Sequence, residues 1–148
     1  NYYLDKTKEE SYVRYYEEIL MLIKAFDNFD VIGHLDYVKR YSPLEWEEEE
    51  HLYGLDIIEE IFKILIEREK GIEVNTSGYR HISDAPMPNI EIIKKFAQLG
   101  GEIITIGSDA HSTDGLAFSF DRAIDELKEA GITQLTKFNQ RKPEMVSI

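Results

Sequence analysis

Ile72-Glu73-Val74-Asn75-Thr76 is the stretch that decides the fold. Short, β-branched and apolar at alternate positions, it has the pattern of a buried strand. Both flanks have a different period. Before it, Ile57, Ile58, Ile61, Phe62, Leu65 and Ile66 recur at helical spacing and stop near Gly71. After it, Pro88-Asn89 opens a helical pattern through Ile93, Phe96 and Ala97 that Gly100-Gly101 ends. The same alternation continues outward. Glu102 to Ser108 reads as a strand, followed by a helix through Phe120, Ala123, Ile124 and Leu127 that ends at Gly131. Upstream, Phe29 to Leu35 (FDVIGHL) is a third strand. A helix precedes it, with Thr7 and Glu10 as a capping box and Tyr12, Tyr16, Ile19, Leu20, Ile23 and Phe26 as its apolar face. Helix and strand alternating at this spacing mean βα units and a parallel sheet, an α/β fold.

Outside these elements the signals are weaker. Ser42-Pro43 and the acidic run Glu45 to Glu50 mark a helix start, where the helix dipole favours negative charge. Gln134 to Ile148 (QLTKFNQRKPEMVSI) reads as one or two short strands. The 148 residues suit a single domain, 1–148, without linker or internal repeat. A closed (β/α) barrel takes roughly 200 residues or more. Three strands in a chain this short therefore form either a small open sheet or a piece of a larger barrel.

Composition removes several classes of function. There are 29 Asp plus Glu against 17 Lys plus Arg, a net charge of −12, which argues against nucleic-acid or anionic-membrane partners. No apolar run approaches the roughly 20 residues of a membrane span. With zero cysteines, disulfides, thiolate metal sites and a cysteine nucleophile are excluded. A cytoplasmic protein is the expectation.

Chemistry-bearing residues gather at the C-terminal ends of the strands, where α/β folds place their sites. Side chains two apart on a strand share a face. Thus His34 and Asp36 pair in Gly33-His34-Leu35-Asp36, and Glu73, Asn75 and Ser77 line one face of the second strand. In Ser108-Asp109-Ala110-His111, Asp109 and His111 share a face if the extended backbone continues past the strand. Carboxylate and imidazole without thiolate suit zinc, manganese or iron held for hydrolysis. Such a metal acidifies its bound water and polarises a phosphoryl oxygen. Lys39-Arg40 and Arg80 follow the first two motifs, and arginine is the planar, bidentate partner of phosphate. Each could equally pair with a surface carboxylate. His51 beside the acidic run reads as a solvated helix residue, and His81 as an ordinary loop residue close to the mouth. There is no glycine-rich phosphate loop and no Gly-x-Ser-x-Gly elbow.

Gly33 to Tyr41 (GHLDYVKRY), Ile72 to Arg80 (IEVNTSGYR) and Ile104 to His111 (ITIGSDAH), in this order, resemble the second half of a histidinol-phosphatase of the PHP superfamily. The resemblance runs over nearly the whole chain. It implies a distorted (β/α)7 barrel, of which this chain is the C-terminal half, holding up to three divalent metal ions (Mn, Zn or Fe). The implied reaction is hydrolysis of L-histidinol phosphate to histidinol and phosphate, in histidine biosynthesis. Carried across, His34, Asp109 and His111 are metal ligands, and Asp109 and His111 are catalytic. Arg40 and Arg80 bind the substrate phosphate, while Asp36, Glu73 and Asn75 line the mouth. The family's His-x-His strand and further ligands belong to a part that precedes this sequence, since none of the four histidines lies before His34. The resemblance therefore implies a half-barrel that is incompetent alone. It would pair with the other half or with a second copy through a strand edge such as Ile103 to Ile106. The alternatives are a PHP hydrolase of another phosphoester and a non-catalytic half-barrel module.

Overall fold

The computed structural model describes residues 5–41, 52–80 and 84–148. Five strands and four helices are found there: α1 (Lys8–Ala25), β1 (Val31–Ile32), α2 (Leu55–Glu67), β2 (Gly71–Asn75), α3 (Ile90–Gln98), β3 (Ile104–Gly107), α4 (Phe120–Glu129), β4 (Gln134–Asn139) and β5 (Lys142–Ser147). The strands β1, β2 and β3 pair in that order, all parallel, with Ile72 opposite Ile104 and Asn75 opposite Gly107. This is the α/β arrangement the alternation predicts. The acidic run Glu45 to Glu50, His51 and His81 lie outside the described residues.

Local chemistry explains most of the boundaries. Thr7 and Glu10 form the reciprocal capping box: the Glu10 N–H donates to Thr7 Oγ1 at 3.2 Å and the Thr7 N–H to Glu10 Oε2 at 2.7 Å. Asn89 caps α3 by accepting from the Glu91 N–H at 2.9 Å. One continuous core joins Tyr12, Tyr16 and Ile23 of α1, Ile58, Ile61, Phe62 and Leu65 of α2, Ile72 and Val74 of β2, and Phe96 of α3. Phe62 and Phe96 meet edge to face at 5.0 Å.

The first strand is shorter than its sequence suggests. Regular pairing stops at Ile32, and His34 adopts a left-handed backbone, φ 56°. The tail resolves into a hairpin, β4 antiparallel to β5, turned by Gln140 and Arg141 at φ 50° and 64°. Two successive residues at positive φ make the turn that matches strand twist. This hairpin lies against β3: the Ile104 N–H donates to Thr136 Oγ1 at 3.3 Å. The edge expected to be open at Ile103 to Ile106 is thus covered. In the strand order β1 and β3 are both edge strands, and the hairpin packs beside β3. No helix among the described residues is long and apolar enough to cross a membrane.

Candidate active site

Each parallel strand delivers its polar residues at its C-terminal end, but not by simple alternation. On β2 the alternation holds: Ile72 and Val74 are fully buried, while Glu73 and Asn75 face the other way. The Glu73 carboxylate lies between two glycines. A Cβ on Gly33 would come within 3.0 Å of Glu73 Oε2, and one on Gly107 within 2.4 Å of Glu73 Oε1. Glycine at both neighbouring strand ends is what leaves room for this carboxylate.

On β1 and β3 the alternation fails. His34 and Asp109 follow their strands with positive φ, 56° and 48°, a conformation that costs a residue with a Cβ about 1–3 kcal/mol. The turn after His34 carries Asp36 away from the mouth and into the interior, where it is 2% exposed. There Lys39 Nζ lies 2.8 Å from Asp36 Oδ2, and the Asn89 N–H donates to the same oxygen at 3.0 Å. Lys39 Nζ also donates to the Pro86 carbonyl at 3.0 Å. The expected His34–Asp36 pair on one face is thereby replaced by a buried bracket between the first motif and the loop before α3.

The remaining residues form a chain of contacts across the mouth. The His34 ring stacks on Tyr37 at 4.7 Å, and Tyr15 Oη donates to the His34 carbonyl at 2.7 Å. Arg40 Nη1 donates to Tyr37 Oη at 3.2 Å and lies 3.6 Å from Asp109 Oδ2. Asp109 Oδ1 in turn is 3.5 Å from His111 Nε2, and the His111 side chain is 89% exposed. Arg80 borders the same strand end from the other side. It donates to the Ser108 and Gly115 carbonyls, both at 3.4 Å, and covers the Phe118 ring at 4.3 Å.

A second bracket holds the Arg80 segment. Arg122 of α4 covers the Tyr79 ring at 4.2 Å and donates to Asp84 Oδ1 at 2.7 Å and Glu126 Oε1 at 2.9 Å. Tyr79 Oη donates to Glu126 Oε2 at 2.7 Å. Burial, reinforced by the bond to Glu126, pushes the Tyr79 hydroxyl above the usual phenol range.

The mouth thus gathers His34, Glu73, Asn75, Arg40, Asp109 and His111, with Arg80 at its margin. Tyr37 and Phe118 are aromatic floors under His34 and Arg80 that the strand phase does not reveal; the signal for Tyr37 alone lies inside GHLDYVKRY. A cavity of about 490 Å3 lies at the N-terminal strand ends, against Asp30, Lys70, Ile103 and Arg141. Asp109 and His111 offer carboxylate oxygen and imidazole nitrogen, a donor pair that suits zinc, manganese or iron. Among the described residues no three His, Asp or Glu side chains come together as a metal-holding group. The donor chemistry fits a metal, and the number of donors makes only part of a site.

The family model of the PHP domain matches residues 1–77. The chain belongs to the PHP domain family. Among PHP relatives, the histidinol-phosphatase of Lactococcus lactis subsp. lactis is 33% identical over 144 residues, 95% of this chain and 52% of its own length. A probable histidinol-phosphatase of Thermotoga maritima is 30% identical over 128 residues, 86% of this chain and 52% of its own. A crystal structure of histidinol phosphate phosphatase from Lactococcus lactis, complexed with zinc, L-histidinol and phosphate, superposes with a TM-score of 0.80 at 32% identity. It covers 97% of this chain and 54% of that one. The chain spans about half the length of the relatives it matches.

Proposed function

We propose that this chain is the C-terminal half of a PHP barrel, a single domain over 1–148, and contributes to a metal-dependent phosphomonoesterase acting on L-histidinol phosphate. The observation that carries the reading is the continuous set of contacts His34–Tyr37–Arg40–Asp109–His111 at the C-terminal strand ends. Three parallel strands flanked by helices support the half-barrel.

In this reading His34, Asp109 and His111 would hold the metal, which supplies charge to polarise the phosphoryl group and acidify water. The chain's own residues have separate tasks. Arg40 is held by Tyr37 and lies close to Asp109, so its guanidinium can meet an incoming phosphate bidentately. Arg80 lies over the Phe118 ring, and its two weak carbonyl contacts at 3.4 Å are readily exchanged for charged oxygens. Asp109 and His111 lie side by side, which sets the two ligand side chains next to one another at the mouth. The setting is cytoplasmic, and the missing ligands come from another polypeptide segment or a second copy across the β1 edge.

The test is phosphate release from L-histidinol phosphate by this half together with the segment that supplies the missing ligands, manganese or zinc being present, comparing the wild type with Asp109→Asn and Arg40→Met. Release that is lost in both variants supports the reading. A non-catalytic half-barrel module is favoured by the incomplete donor set among the described residues. It predicts no bound metal above background after purification and no release under any condition.

A further inference from the structure

An imidazole acts through whichever nitrogen keeps its lone pair, and its neighbours decide which one that is. For His34 that neighbour is Asn75, on the adjacent strand β2. The Ser77 backbone N–H donates to Asn75 Oδ1 at 2.9 Å in a buried bond. With its oxygen engaged there, the Asn75 amide turns its NH2 in the opposite direction. Nδ2 lies 3.3 Å from Glu73 Oε2 and 3.4 Å from His34 Nδ1. A carboxamide NH2 only donates, and it has two protons to give. One goes to the Glu73 carboxylate and the other to His34 Nδ1, which must therefore accept.

Exchanging the two ends of the amide would set Oδ1 against the Glu73 carboxylate and NH2 against the Ser77 N–H. Acceptor would face acceptor and donor would face donor. Asn75 is 1% exposed, so water is not at hand to relieve either conflict. The imidazole cannot easily turn over, because it is stacked on Tyr37 and its backbone is held by Tyr15.

We propose that Asn75 is a positioning residue for His34, holding the neutral imidazole with its proton on Nε2 in the metal-free chain. Nε2 has no hydrogen-bond partner among the described residues, so the ring offers an N–H donor there. For His34 to hold a metal through Nε2 its proton would have to move to Nδ1, against the Asn75 NH2, and to hold one through Nδ1 the amide would have to turn away. Asn75 thus decides in which form His34 enters the site. The inference deepens the reading of His34 as a site residue but needs neither metal nor turnover for its test. A failed outcome here leaves phosphate release as a separate question.

The experiment is long-range 1H–15N spectroscopy of the 15N-labelled, metal-free chain at a pH where imidazoles are neutral, with His34→Gln used to assign the ring. The wild type is expected to show the Nε2–H form, with Nδ1 at the frequency of a proton-free nitrogen. In Asn75→Asp the facing group can only accept, so the proton moves to Nδ1 and the two nitrogen signals exchange places. In Asn75→Ala the preference loosens, and both signals move toward averaged positions. A residue that merely fills space would alter the melting temperature and leave the ring pattern alone. An Nδ1–H form in the wild type overturns the proposal, as does an unchanged ring pattern in both variants. If the Asp variant does not fold, the wild type and Asn75→Ala decide by the same criteria.

Discussion

Lys39 and Arg40 are adjacent in the chain and belong to different parts of the molecule. Lys39 points beneath the mouth, where its side chain is 9% exposed and its ammonium lies 2.8 Å from Asp36. Arg40 points into the mouth, 30% exposed and 3.6 Å from Asp109. The buried pair also binds the Pro86 carbonyl and the Asn89 N–H, so its partners are fixed by the fold. The pair at the mouth is longer, wetter and open to exchange for an anion. The difference teaches that basic residues of one motif divide by burial into one locked inside the fold and one left at the mouth. Charge alone does not separate them.

Removing one member of the buried pair gives the largest expected effect. Lys39→Met leaves the Asp36 carboxylate buried without its cation, which costs about 3–5 kcal/mol. Urea denaturation followed by circular dichroism measures it. A loss below about 1 kcal/mol would show that water reaches Asp36 and that the two pairs do not differ in kind. Asp36→Asn with Lys39→Met together is expected to recover part of the loss, because no unpaired charge then remains.

Next in size is Gly107→Ala. The new Cβ would come within 2.4 Å of Glu73 Oε1, so the carboxylate or the strand end must shift. Overpacking of this kind costs about 1–3 kcal/mol, again read from denaturation midpoints. Gly33→Ala, with its Cβ at 3.0 Å from the other carboxylate oxygen, is expected to cost less. Equal costs would mean that the Glu73 side chain moves aside freely.

Arg40→Met sharpens the comparison from the other side. Loss of a half-open pair is expected to change stability by less than about 1 kcal/mol. Binding of inorganic phosphate, followed by calorimetry, is expected to fall by about tenfold or more, since a charge-assisted bidentate contact is lost. A stability loss comparable to that of Lys39→Met would make Arg40 a second bracket.

How much of this was legible in the sequence differs by region. The helices and the parallel character of the strands follow from the alternation of periods, and the Thr7–Glu10 capping box could be read directly. The strand ends could not. Alternation assigns His34 and Asp36 to one face, but a left-handed residue at His34 breaks the period, and no local signal marks a histidine for that conformation. The hairpin turn at Gln140-Arg141 lacks the Asn-Gly or Asp-Gly pair that usually announces it. Glu73 left a clue in the glycines at the ends of its two neighbouring strands, which only pairing register could connect to it. The split between Lys39 and Arg40 depends on Pro86, 47 residues after Lys39, and on Asn89, 53 residues after Asp36.

The smallest effect is expected at the opposite end of the sheet, where an ion pair resembles the one at the mouth but faces solvent. Arg141, in the turn of the β4–β5 hairpin, meets Asp30 through Nε at 2.9 Å and Nη2 at 3.1 Å. It also donates to Asn28 Oδ1 at 2.7 Å, so one side chain ties the hairpin to the segment entering β1. The hydrogen bonds from Arg141 hold the Asp30 carboxyl below the usual aspartate range. A carboxylate with a lowered folded-state pKa stabilises the fold above its unfolded value, near 4, and loses that contribution as pH falls through the folded value. The tie is therefore expected to be intact at neutral pH and to weaken only below about pH 4. The guanidinium Nε–H signal of Arg141, followed by NMR during an acid titration, reports it directly. Its shift should follow the protonation of Asp30, with the rest of the chain still folded, and should vanish in Asp30→Asn. A shift that begins near pH 6, or one that persists in the variant, would detach this contact from Asp30.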